Sequence, residues 1–332
     1  MKRFPRLPIL FLCIGTLVGE TPKSAQEAAQ LSFQAGNKHF AKSHFQLAIG
    51  EYNKSISLDP GFAPAYFNRG NARKSTGDLD QAIADYTRAI LLKPRFASAY
   101  LNRGNARQDR GDLEGAIADF DKAIQLNPWP ALAFNNRGTV FQSRKDLRRA
   151  MADYDRAIAI DPHFALAYNN RGTARQMMGD LQGALSDYGE AIHLNHRYAS
   201  AYSNRALARA EKQDLNGAIT DCDRALEIDP KLVKAYQIRG RARQAKGDVQ
   251  GAIVDFEKTI ELAPDWALAH WDRGLALRTQ GRTAEADREF ATARALDSAI
   301  KTAAKGQMRD IGPSKVGAQT GATNAGDSPA EE

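Results

Sequence analysis

Residues 99–128 read AYLNRGNARQDRGDLEGAIADFDKAIQLNP, and residues 133–162 read AFNNRGTVFQSRKDLRRAMADYDRAIAIDP. One period further on, residues 167–196 read AYNNRGTARQMMGDLQGALSDYGEAIHLNH. The pitch is 34 residues, and it runs in both directions to give eight units: 29–62, 63–96, 97–130, 131–164, 165–198, 199–232, 233–266 and 267–300. A fixed period of this length marks an array that grows in one dimension, so the 332-residue length does not translate into two globular cores.

Counting each unit from one, the eighth position is Gly36, Gly70, Gly104, Gly138, Gly172, Ala206, Gly240 and Gly274. The twentieth is Ala in every unit, from Ala48 to Ala286, and the twenty-fourth is aromatic except at Cys222. Most units close on Pro, as at Pro128 and Pro162. Apolar residues follow the helical period twice per unit, with Tyr100 and Gly104 on one face and Ala116, Phe120, Ala123 and Ile124 on another. The break between them is Gly-Asp, as in Gly111-Asp112: Gly suits a left-handed C-cap and Asp the next N-cap. Each unit is therefore expected to be a hairpin of two antiparallel helices. A mid-helix Gly costs roughly 1 kcal/mol against Ala, and close approach of the paired helices is the expected return. Ser24-Ala25-Gln26-Glu27 reads as a capping box opening the first helix.

These columns resemble the tetratricopeptide repeat family, with its aromatic at four, Gly at eight, Ala at twenty, aromatic at twenty-four and Pro at thirty-two. The resemblance implies an all-α, right-handed α-solenoid superhelix over residues 24–305, with first helices lining a concave inner surface. Its members are protein-interaction modules. The groove positions of the family place Asn68, Asn102, Asn136, Asn170 and Asn204 at the border of that surface. Asn71 and Asn105, and Asn135 and Asn169, fall on the surface itself. A side-chain amide both donates and accepts, so a regular row of them suits the backbone of an extended peptide. The repeat region of the O-GlcNAc transferase family uses Asn at this position in that way. Equally open is a row of Asn that only crosses between adjacent helices. Chaperone-binding members grip a carboxylate with Lys at position five; no Lys occurs there.

Arg at position seven recurs from Arg69 to Arg273, and an acid at twenty-three recurs in the same units. Arg103 with Asp119, Arg137 with Asp153 and Arg171 with Asp187 read as structural ion pairs that set helix register, in preference to a ligand-binding ladder. Phe33 and Phe67 at one end and Trp271 at the other are apolar groove residues, able to anchor a partner or, by preference, to be covered by flanking segments. Asp287 and Arg294 suit a terminal repeat whose outer face meets water.

The net charge is +7, of which Lys2, Arg3 and Arg6 supply three, and no basic stripe of the kind nucleic acid requires is present. With Leu7–Gly19 they read as a signal peptide or N-terminal anchor over residues 1–23, implying an exported chain, periplasmic or secreted. Membrane contact follows only if that segment is retained. Removing it leaves Cys222 alone, read as a small buried hydrophobe. Residues 306–332, rich in Gly, Ala, Ser, Thr and Pro, read as a disordered tail. His193 and His196 lack a third ligand, and no catalytic or cofactor motif stands apart from the repeat columns. The expectation is a non-enzymatic protein–protein interaction scaffold without cofactor or metal, holding an extended peptide or partner protein in its concave groove. Its alternatives are a structural or self-assembling envelope component, and a glycan-binding envelope module.

Overall fold

The computed structural model describes residues 23–297. The expected signal segment, apart from Lys23, and the expected tail both lie outside them. Sixteen helices and no strands make up the described residues, and they fall into two compact units that divide after Ala106.

The first unit contains the hairpin of α1 (Lys23–Ala41) and α2 (Phe45–Leu58), the hairpin of α3 (Ala63–Ser75) and α4 (Leu79–Leu92), and the start of α5 (Ala97–Arg110). The second begins within α5 and continues with α6 (Leu113–Leu126). Four hairpins follow: α7 (Ala131–Ser143) with α8 (Leu147–Ile160), α9 (Ala165–Met177) with α10 (Leu181–Leu194), α11 (Ala199–Glu211) with α12 (Leu215–Ile228), and α13 (Val233–Ala245) with α14 (Val249–Leu262). A last hairpin pairs α15 (Ala267–Thr279) with α16 (Thr283–Leu296). In this unit each second helix packs on the first helix of the next hairpin. The successive first helices α7, α9, α11, α13 and α15 also approach one another. Helix α1 already includes Ser24, so that residue is not an N-cap.

The hairpin turn works as its sequence reads. Asp78, Asp112, Asp146, Asp180, Asp214 and Asp248 each accept a hydrogen bond from the backbone N–H three residues on, closing one orphan donor at the helix start. The residue before each sits in the left-handed region whether or not it is Gly: Gly111 has φ +89°, and Lys145 has φ +61°.

The core repeats too. Ala48, Ala82, Ala116, Ala150, Ala184, Ala218, Ala252 and Ala286 are fully buried. The Gly at position eight does not serve backbone contact in the main. A Cβ built on Gly36 would fall 2.5 Å from Cε1 of Tyr52, and one on Gly240 would fall 2.6 Å from Cε1 of Phe256. The missing side chain is the seat of the aromatic ring at position twenty-four. This explains the one exception: Ala206 stands where its partner is the smaller Cys222, and the two share a buried cluster. In α16, Asp287 and Arg294 are exposed.

Candidate functional site

The first-helix face carries the amides singled out by sequence, and it binds them to one another in two registers. In the first unit, Asn68 Nδ2 donates to Asn37 Oδ1 at 2.8 Å, and Asn102 Nδ2 donates to Asn71 Oδ1 at 2.8 Å. The acceptor is thus at position nine of the preceding repeat. In the second unit, Asn170 Nδ2 donates to Asn135 Oδ1 at 3.0 Å and Asn204 Nδ2 to Asn169 Oδ1 at 2.9 Å, so the acceptor has moved to position five. The sequence changes in step: position nine becomes Thr139 and Thr173 where position five becomes Asn. One amide per repeat therefore bridges adjacent first helices throughout these junctions.

The second acceptor capacity of these amides goes to buried tyrosines. Tyr52 Oη donates to Asn37 Oδ1 at 2.8 Å and Tyr86 Oη to Asn71 Oδ1 at 2.8 Å. Where position nine is Thr, the tyrosine turns to position twelve: Tyr154 and Tyr188 donate to Oε1 of Gln142 and Gln176, each at 2.9 Å. A buried phenol needs such a partner, because an unmade bond there costs about 1–3 kcal/mol.

The face is consequently less open than the amide count suggests. Asn135 and Asn169 are buried rather than lining a wall, because the junction between first helices closes over them. Asn68, Asn71, Asn102, Asn105, Asn136, Asn170 and Asn204 are half-buried. Asn136 accepts from Asn135 Nδ2 at 3.1 Å, and Asn105 is engaged as well. Exposed apolar side chains lie beside this row at position two, Leu132 and Leu166. Phe33, Phe67 and Trp271 are half-buried against rings of the array itself: Phe62 at 5.1 Å, Phe96 at 4.8 Å and Phe290 at 4.8 Å.

Toward the C-terminal end the row changes character. Ile238 replaces the amide at position six, and the buried Ser203 Oγ of the preceding repeat is left without a partner. Lys234 Nζ donates to Asn204 Oδ1 at 2.9 Å, and burial pushes its pKa down. Asp272, also at position six, accepts from Gln237 and from Arg241, and burial pushes its pKa up against the opposing pull of Arg241. Neither Lys234 nor Arg241 stands out in the sequence, since each occupies a column that is uncharged in most units.

The arginine column forms a second system, on the other side of the first helices. Arg137 Nη2 lies 2.7 Å from Asp153 Oδ1 and Arg171 Nη2 lies 2.7 Å from Asp187 Oδ1, both through bidentate contacts with carboxylates that are nearly inaccessible. Arg103 Nη1 donates to Thr87 Oγ1 at 3.0 Å, and Asp119 accepts from Arg107 at 2.8 Å. A second arginine, at position eleven, joins the same acid in several repeats, as Arg175 does with Asp187 at 2.8 Å. The position-seven guanidinium also lies over the ring at position four, 5.4 Å away for Arg171 over Tyr168. The hydrogen bonds that Arg137 donates to Asp153 are the main reason that its pKa is pushed up. Most of these groups are paired within the fold and link the two helices of a hairpin, while Nε of Arg107 and of Arg273 is buried without a hydrogen-bond partner.

Two further sequence features can be placed. The rings of His193 and His196 are 6.2 Å apart, and among the described residues no three His, Cys, Asp or Glu side chains are grouped to hold a metal ion. No helix among the described residues is long and apolar enough to cross a membrane.

Comparison with known proteins agrees with this geometry. Models described as tetratricopeptide repeat match residues 51–84, 97–130, 131–164, 153–186, 199–232 and 239–303, and one described as TPR repeat matches residues 70–109. No curated protein sequence matches the chain. Among solved structures, the Cut9–Hcn1 hetero-tetramer of the APC/C is similar with a TM-score of 0.64 at 17% identity, over 75% of this chain and 48% of that one. The chain thus spans about half of that relative. A tetratricopeptide repeat protein from Parabacteroides merdae has a TM-score of 0.62 at 17% identity, over 76% of this chain and 99% of that one. PilF of Pseudomonas aeruginosa has a TM-score of 0.55 at 18% identity, over 62% and 93%. At such identities the likeness is one of fold. With the repeat models falling along most of its length and helical hairpins recurring at their pitch, the chain belongs to the tetratricopeptide repeat family.

Proposed function

We propose that this tetratricopeptide repeat protein is a non-enzymatic scaffold that holds an extended segment of a partner protein along its first-helix face. The observation that carries the reading is the bridged amide row. An Asn already tied to its neighbour loses little freedom on binding, and preorganised groups bind at lower entropic cost. Nδ2 of Asn102, Asn170 and Asn204 uses one N–H in the bridge and retains a second, whereas that of Asn68 also turns toward Tyr52. Oδ1 of Asn68 and Asn102 accepts no bond from the described residues, so it suits a peptide N–H. In the second unit, exposed Leu132 and Leu166 offer apolar contact beside the row.

A peptide-display selection against the full chain tests this reading. Selected peptides should lose at least tenfold in affinity when their contacted backbone nitrogens are methylated, and binding should fall in a Leu132→Glu/Leu166→Glu double variant whose melt is unchanged. Failure to select any peptide, or binding indifferent to both changes, would sink the proposal. Concentration-dependent oligomers or binding to isolated wall polysaccharide would favour the self-assembling or glycan-binding alternative instead. Export rests on Lys2, Arg3, Arg6 and the apolar Leu7–Gly19 run, and cell fractionation with N-terminal sequencing tests it.

A further inference from the structure

The arginine column does more than pair within its own repeat. At six junctions the position-seven guanidinium also reaches back to position twenty-five of the preceding repeat. Arg69 Nη1 donates to Asn53 at 2.6 Å, Arg103 to Thr87 at 3.0 Å and Arg171 to Asp155 at 2.8 Å. Arg239 donates to Asp223 at 2.6 Å, Arg273 to Glu257 at 2.7 Å, and Arg137 to Asp121. Four of the six acceptors are carboxylates supplied by the chain itself.

One junction lacks this contact. Position twenty-five of the fifth repeat is Gly189, and a Cβ built there meets nothing within 4 Å. Arg205 is held by Asp221 through Nε at 2.9 Å and Nη2 at 2.8 Å, while its Nη1 edge, which meets an acceptor at five of the other junctions, has none among the described residues. Tyr202 supports the guanidinium from below, 5.6 Å from ring centroid to Cζ. Arg209 shares Asp221 at 2.8 Å, and Arg224, paired with Glu227 at 2.6 Å, also bonds toward Tyr202. Arg209 Nε also lies 3.8 Å from Asp214, so three cations face three carboxylates, and none of these acids meets the Nη1 edge of Arg205. Glu190, the next residue on α10, points about 100° further round the helix and makes no bond to Arg205. The corresponding acids elsewhere are surface groups, with Asp155 55% and Asp223 47% exposed, so the vacant place is open to solvent.

We propose that the notch formed by Gly189, Tyr202 and Arg205 receives an aspartate or glutamate side chain of an acidic partner segment, in the place where Asp155 and Asp223 stand at other junctions. The guanidinium is preoriented by Asp221 and Tyr202, and a carboxylate entering the notch completes the charge-assisted pair that the chain makes elsewhere for itself. This surface is separate from the amide row, so its outcome does not depend on peptide binding there.

The test follows arginine side-chain N–H resonances of the full chain while hexaglutamate is added, with hexaglutamine and acetate as controls. The resonance of Arg205 should shift with hexaglutamate in the wild type and in Gly189→Ala. In Gly189→Asp the chain's own carboxylate fills the notch, and affinity should drop at least tenfold. Gly50→Asp, at an exposed glycine that likewise has nothing within 4 Å of its Cβ position, should leave binding within twofold. Shifts with acetate alone would reduce the site to one for free carboxylates and overturn the partner assignment. Absence of any shift at Arg205, equal binding by Gly189→Asp, or an equal loss in Gly50→Asp overturns the proposal.

Discussion

Asn170 Nδ2 donates to Asn135 Oδ1 at 3.0 Å across the junction of two repeats, whereas Asn68 makes the equivalent bond to Asn37, four positions further along its helix. The bridging residue is the same in both cases and its acceptor differs. Each choice obliges the buried tyrosine of the hairpin to find a different partner. Hydrogen-bond satisfaction, helix stacking and ring packing are therefore one problem here, solved twice with different residues.

That coupling gives a first expectation. Gln142→Leu removes the acceptor of Tyr154 and should cost about 1–3 kcal/mol. Added to Tyr154→Phe, the same change should cost far less, since no phenol remains to be satisfied. A double-mutant cycle from urea midpoints measures the coupling, and simple additivity would refute it.

Two glycines of one hairpin should respond oppositely to alanine. Gly36→Ala places a methyl group against the Tyr52 ring and should lower stability by about 1–2 kcal/mol, overpacking outweighing the gain in helix propensity. Gly50 has nothing within 4 Å of its Cβ position, so Gly50→Ala should raise stability by about 0.5–1 kcal/mol. Thermal melts of both variants decide the matter.

Asp187 is nearly inaccessible and bonded to Arg171 and Arg175. Asp187→Asn leaves two partly buried guanidiniums facing a neutral group and should cost about 3 kcal/mol. A loss below about 1 kcal/mol would place the pair with ordinary surface ion pairs.

Lys145 occupies a left-handed turn position with φ +61°, where most other repeats have Gly. Lys145→Gly should stabilise the chain by about 0.5–1 kcal/mol by relieving the Cβ strain. A lower melting temperature would show that the Lys side chain contributes a contact worth more than that strain.

Alkaline pH should unfold the chain through its tyrosines. Burial pushes Tyr52 and Tyr198 from 10.0 up to about 12. Between those values the unfolded chain has released protons that the folded chain retains, so stability falls as pH rises. It should be level below about pH 9 and decline from pH 10 to 12. Tyr52→Phe should make that decline shallower, as read from urea midpoints at each pH.

Much of this architecture can be read without coordinates. The Gly, Ala and aromatic columns announce the hairpins, because a helix face recurs at fixed spacing and a small residue opposite a ring must recur with it. The Arg and Asp columns announce the ion pairs for the same reason. The reach of Arg171 back to Asp155 was legible in principle from the acidic column at position twenty-five. The burial of Asn135 and the unpartnered Ser203 were not, since they depend on how closely two first helices approach.

The sequence by itself determined the period, the helical hairpin, its caps and the membership of each core column, all of which are local or repeat on one pitch. Tertiary structure decided what the amides do. An Asn offers two donors and an acceptor wherever it stands, and only the packing of neighbouring helices selects which of these meet protein and which meet water. The same holds for Arg205. Gly189 breaks its column in the sequence, but only the stacking that brings that column opposite the arginines shows that an edge of the Arg205 charge is left unspent.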